Sequence, residues 1–196
     1  MAINGSEVRV AGAGHVYVAP AGTALPTDLT DLPAAWVDLG YVTEDGVGFS
    51  FGRETDDLNA WQGDKIRTLS TKEPASCNFS LMQTNATIMN IAFGGGETTE
   101  DAAKKVFTFT PPKSGTNTER SLVIEFTDGA TLKYRYVIQR SQIEGNVDFT
   151  LVRSGALTYP LTMGILDNGD KPKFTIISND PNMAPDAQAK AAGLGK

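Results

Sequence analysis

Residues 75–81, Ala-Ser-Cys-Asn-Phe-Ser-Leu, alternate strictly between apolar and polar side chains. A period of two places Ala75, Cys77, Phe79 and Leu81 on one face of a strand and Ser76, Asn78 and Ser80 on the other, the pattern of a half-buried strand. The alternation recurs at 47–58, where Phe49 and Phe51 oppose Ser50, Gly52, Glu54 and Asp56. It returns at 147–151, where Val147, Phe149 and Leu151 oppose Asp148 and Thr150, and at 157–163, where Leu157, Tyr159, Leu161 and Met163 oppose Thr158 and Thr162. Apolar runs predict further strands at 15–19, 36–42, 106–110 and 173–177. Read as one strand, 68–83 would reach about 50 Å at about 3.3 Å per residue, long for a globular protein and suited to something extended.

A hairpin is predicted where 122–126 and 131–139 flank Asp128-Gly129, a pair that accepts the positive φ of a tight turn. On its second strand Leu132, Tyr134, Tyr136 and Ile138 share one face, and Lys133, Arg135 and Gln139 share the other. Helical spacing is confined to Ile88, Ile91 and Ala92. With Thr84 or Asn85 as cap and Gly94-Gly95-Gly96 as terminator, this predicts one short helix over about 86–93. Asn168-Gly169 marks a turn, and the Pro- and Gly-rich stretch 111–119 reads as a mobile loop. The organisation expected is an N-terminal arm (1–13), one β domain (14–177) and a C-terminal tail (178–196) too poor in apolar side chains to order itself.

Composition supports this fold class. At 196 residues and 40% hydrophobic, the chain can build one sizeable core, and its 20 glycines and 10 prolines suit short strands joined by turns. A single cysteine, Cys77, rules out an intrachain disulfide and points to the cytosol. No run of 18 apolar residues suggests a membrane span. The net charge of −6 argues against general affinity for phosphate backbones, and segment 44–64 carries six acids against Arg53 alone.

Enzyme signatures are missing. One histidine, His15, removes the common triads and His-rich zinc sites, and a structural role in its apolar strand is the simpler reading. Gly12-Ala13-Gly14 and Gly94-Gly95-Gly96 lack the remaining residues of nucleotide-binding loops. Asp56, Asp57 and Asp64, or Asp167 and Asp170, have no EF-hand spacing. Cys77 reads as a small buried hydrophobe, and Trp36 and Trp61 as core or interface anchors. Neither a cofactor nor a metal is expected.

Four stretches together resemble the major tail tube proteins of long-tailed bacteriophages: GHVYVAPAGTALPTD, WVDLGYVTEDGVGFSF, TKEPASCNFSLMQTNATIMNIAFGG and RSQIEGNVDFTLVRSGALTYPLTMGIL. The likeness lies in the order of elements over 15–166. It implies a mainly β fold, a β-sandwich or partly closed barrel with one short flanking helix, whose strands contribute to a lumenal barrel spanning a ring of six copies. Rings would stack head to tail into a hollow tube that passes double-stranded DNA without binding it specifically. The chain would then be a structural protein of the virion tail, assembled in the host cytoplasm beside tape-measure, terminator and distal tail proteins.

On that resemblance, the polar face meets the bore, with Glu54, Asp56, Ser76, Asn78, Ser80, Asp148, Thr150 and Thr162 facing the lumen. Acids there would repel phosphates that Lys or Arg would hold. The loop 56–72, with Trp61, Asp64, Lys65 and Arg67, is expected to contact the next ring, together with the termini and the 111–119 loop. The competing reading is a monomeric β-sandwich adhesion or carbohydrate-binding module. It predicts clustered aromatics in the loops, whereas those of this chain are scattered.

Overall fold

A computed structural model describes residues 5–113 and 116–184. Twelve strands follow in chain order: β1 (Ala13–Pro20), β2 (Val37–Asp38), β3 (Val42–Phe51), β4 (Glu54–Asn59), β5 (Lys65–Lys72), β6 (Ala75–Leu81), β7 (Glu97–Asp101), β8 (Val106–Thr110), β9 (Arg120–Asp128), β10 (Leu132–Ile143), β11 (Tyr159–Ile165) and β12 (Phe174–Ser178). The helix α1 (Ala86–Ala92) lies between β6 and β7. Eight strands form one antiparallel sheet in the order β2-β1-β9-β10-β11-β6-β3, and β12 also pairs with β10. Two separate hairpins, β4–β5 and β7–β8, stand apart from it.

β10 explains how the sheet folds over on itself. Tyr134–Ile138 pair with β12, whereas Ser141–Ile143 pair with β11 on the same edge, after a bulge between Ile138 and Ser141. One edge thus feeds two directions, and β11-β6-β3 swings across the front of β1-β9-β10-β12. Ring contacts bridge the two layers, Phe49 to Tyr136 at 5.0 Å and Phe51 to Phe174 at 5.1 Å. Between the layers lies the main core, where Cys77, Phe79, Leu81, Leu161 and Met163 meet Val16, Leu122, Ile124 and Ile138. The sheet stays open between β1 and β3, so the expected sandwich or partly closed barrel is the fold observed.

The alternation of β6 is realised in full, with Ala75, Cys77, Phe79 and Leu81 buried and Ser76, Asn78 and Ser80 turned outward. Asn85 is the helix cap, its side-chain oxygen accepting from the Ile88 amide at 2.9 Å, while Ile88, Ile91 and Ala92 pack into the core. Gly94, Gly95 and Gly96 all carry positive φ, and at Gly96 a Cβ would meet the Thr110 carbonyl at 2.7 Å. The helix end is therefore glycine by necessity.

Four expectations are corrected. The strands read over 47–58 and 68–83 each break in two, because Pro74 has no amide to donate and its carbonyl instead accepts from Gly52 at 2.8 Å. The strand at 36–42 shrinks to Val37–Asp38: Trp36 and Leu39 turn into cores and Gly40, at φ 78°, ends the extended run. Residues 147–151 form no strand; Val147 packs on the core and Phe149 contacts Phe93 and Tyr159 as irregular chain. The hairpin turn holds three residues, since Asp128 pairs with Leu132, with Gly129 at φ 63°.

The face of β10 expected to be polar is buried as well. The 21–36 segment folds over it and makes a second small core of Ala19, Trp36, Val123 and Val137. Arg135 beneath it is 1% exposed. It pairs with Glu125 and donates to the carbonyls of Asp28 (2.5 Å) and Thr30 (2.8 Å), while Lys133 Nζ lies 2.9 Å from Glu125. A buried guanidinium thus serves as the pin for a loop with no strand of its own. A second latch ties the segment before β1 to the one after β12: Arg9 donates to Asp180 at 2.6 Å and to the Tyr134 hydroxyl at 3.1 Å. The Tyr134 hydroxyl, with Arg9 beside it, holds the Asp180 carboxyl below the usual carboxylate range. Residues 1–4 of the expected arm, 114–115 of the expected loop and 185–196 of the expected tail lie outside the described residues.

Candidate assembly interface

Cross-strand register places the polar side chains of β3, β6 and β11 in rows. Gly48, Asn78 and Thr162 form one row and Ser50, Ser76 and Gly164 the next, with Ser80 opposite Pro160. The residues of these rows are small or uncharged, and acids flank them: Glu144 lies over Gly164, and Asp45 joins Gly48, Asn78, Ser80 and Thr162 around a recess. This face is also the outer surface of a sheet whose other side is the core. The outer edge of β3, ten residues long, has no strand partner among the described residues.

Ser76, Asn78, Ser80 and Thr162 therefore share one surface. The other residues expected at the bore stand on separate elements. Glu54 and Asp56 lie on β4, where Glu54 faces Lys72 at 3.5 Å, and Asp148 and Thr150 lie in the irregular 144–158 segment.

The expected loop at 56–72 is instead a hairpin whose every strand residue is exposed. Cross-strand pairing of Lys65 with Asp57 at 2.7 Å, and of the Thr68 hydroxyl with Asp57 at 2.9 Å, keeps it regular without a core. Its turn carries Trp61, fully exposed at 101%, with Leu58 and Ile66 also open to solvent. Asp64, Lys65 and Arg67 sit beside that tip. Large apolar groups held out on a ribbon with nothing of their own to cover are the mark of a surface completed by another molecule.

β8 is the strand read over 106–110, whereas its partner β7 is missed, because Glu97–Asp101 shows no apolar alternation. Both faces of this hairpin meet solvent. Lys105 turns it at φ 54°, and Asp101 accepts from the Lys104 amide at 3.2 Å. Phe109 fixes its base against Phe93 at 5.6 Å, while Phe107 stays 69% exposed. The available signal is the VFTFT run after a Lys-Lys turn.

Among the described residues no catalytic arrangement accompanies these surfaces. His15 is a surface residue rather than a core one, with Nδ1 2.9 Å from Asp38. Cys77 is wholly buried, and desolvation pushes its thiol up to about 12, far from a reactive thiolate. Among the described residues no three His, Cys, Asp or Glu side chains gather as a metal site.

A two-layer β domain with an outward polar sheet face, an edge strand unpaired among the described residues and a hairpin tipped by an exposed tryptophan is an assembly subunit. The chain belongs to the phage tail tube protein family, whose pattern it matches over residues 1–189. It is 26% identical over 197 residues to the major tail protein Gp23 of Mycobacterium phage D29, covering 92% of this chain and 95% of that protein. To the major tail protein Gp23 of Mycobacterium phage L5 it is 24% identical, with the same coverage. Among solved structures it is similar to a chain in the tail of an empty gene transfer agent particle, refined with C6 helical symmetry (TM-score 0.37, 15% identity, 83% of this chain and 93% of that one). A second is a chain of the native gene transfer agent virion (TM-score 0.40, 11% identity, 91% and 100%). The protein is a structural subunit of the virion tail tube and not an enzyme.

Proposed function

We propose that six copies close a ring, that rings stack head to tail, and that the β3-β6-β11 face lines the bore through which double-stranded DNA passes. The observation that carries this reading is the combination of a ten-residue edge strand, unpaired on its outer side among the described residues, with a sheet face of small polar residues flanked by acids and by no Lys or Arg in its rows. Long open edges invite uncontrolled pairing, and a ring satisfies each edge with a neighbour. Ser76, Asn78, Ser80 and Thr162 offer a sliding polyanion no cation to release its counterions against. Glu54, Asp56, Asp148 and Thr150 extend this lining at its margins. The β4–β5 hairpin, with Trp61, Asp64, Lys65 and Arg67, reaches the next ring.

Imaging of purified full-length chain, frozen after concentration, tests the assembly: hollow tubes built of six-fold rings are expected, and a monomer at high concentration refutes it. The lining has its own test. Lysine at Glu54, Asp56 and Asp148 together is expected to permit tube assembly yet slow DNA release from particles at least tenfold at low salt, with the defect shrinking as salt rises. Wild-type release rates in that triple variant refute an electrostatic lining and leave the tube intact.

A further inference from the structure

We propose that the β4–β5 tip of one copy plugs the cleft between β1 and β3 of a second copy, with Trp61 entering the cleft and Arg67 facing Glu44. The inference rests on the tube reading above and adds the acceptor site.

Where the sheet fails to close, a cavity of about 780 Å³ opens between β1 and β3. Its lining mixes Val16, Val47, Phe49 and Ile124 with Asp38 and Glu44. Its lining is more apolar than polar, which suits a large side chain with a polar edge. Trp61, Leu58 and Ile66 are exposed in the isolated subunit, and an indole is the side chain that gains most from such a cleft.

Placement supplies the second argument. The cleft follows β3 from Val42 to Phe49, and the hairpin departs after Phe51. Its partner β6 runs back to Leu81, and Gln83 just beyond it again lines the cleft. Plug and socket are thus two different patches of one subunit. Such a contact is heterologous and repeats without closing, which is the symmetry of a growing stack rather than of a dimer.

Charge supplies the third. Arg67 forms no ion pair with any described residue, and neither does Glu44, although most cations of the hairpin are already paired within it. Bringing the tip to the cleft joins the two.

The test uses the full-length chain carrying Gln62→Cys beside the tip and Tyr41→Cys in the cleft lining, treated with a short bismaleimide after assembly. Cys77 is buried and does not compete. A ladder of covalent oligomers, at least tenfold above that of either single variant, is expected. Arg67→Glu alone and Glu44→Arg alone should each raise the concentration needed for tubes at least tenfold, and the two together should restore it. Tubes that form normally without a ladder overturn the acceptor assignment while the tube reading stands. Efficient cross-linking of the Gln62→Cys single variant, which reports a symmetric tip-to-tip contact, overturns it too. Failure of the unmodified chain to form any tube removes both.

Discussion

Replacing residues 57–68 by Asn-Gly is expected to give a folded subunit that forms no tubes at any concentration. Asp56 pairs with Leu69 in the native hairpin, so a two-residue turn closes the shortened ribbon in register. Nothing of the core is lost, because every strand residue removed is exposed. Urea unfolding should therefore keep its midpoint while electron microscopy and sedimentation show only unstacked material. Trp61→Ala is the graded version. Truncating a buried aromatic anchor costs about 2 kcal/mol per contact, which is about a thirty-fold rise in the concentration needed for assembly. Unaltered tubes in the shortened variant would remove the hairpin from the stacking contact.

The parts of this fold that are legible in the sequence are those where one face meets the core and the other meets solvent. β6 is the clearest case, since period alone separates Cys77, Phe79 and Leu81 from Ser76, Asn78 and Ser80. The helix is equally readable, because Asn85 and the three glycines are local signals for local geometry. β10 misleads for the opposite reason. Its Lys133–Arg135 face looks solvated in sequence, yet a loop from about a hundred residues away covers it, and no periodicity reports a distant carbonyl. Residues 147–151 alternate like a strand but find no partner edge among the described residues, so tertiary context overrides propensity. Along the assembly surfaces the residue types are legible and the division between them is not. Pro74 is what separates the polar sheet face from the projecting hairpin, and a proline inside a polar run signals a break without setting the direction of the chain on either side of it.

The second large effect belongs to that buried guanidinium. Arg135→Ala is expected to destabilise the subunit by about 3–5 kcal/mol, measured by urea unfolding, because it strands Glu125 in a site where that residue is only 6% exposed. Lys133 remains 2.9 Å from Glu125 and holds the cost toward the lower end. The carbonyls of Asp28 and Thr30 lose their donors too, so the 21–36 segment should loosen and Trp36, 5% exposed in the native subunit, should show a red-shifted emission. Trp61 also emits, so the measurement is made in a Trp61→Phe background. Replacing both partners, Glu125→Leu with Arg135→Met, removes the stranded charge and should recover at least half of the lost stability. A double variant no more stable than Arg135→Ala would locate the energy in the carbonyl clamp rather than in the ion pair. Because this pin lies on the far side of β1-β9-β10-β12 from the β3-β6-β11 face, tubes assembled from the double variant should keep native stacking. The same comparison therefore separates what holds the subunit together from what joins one subunit to the next.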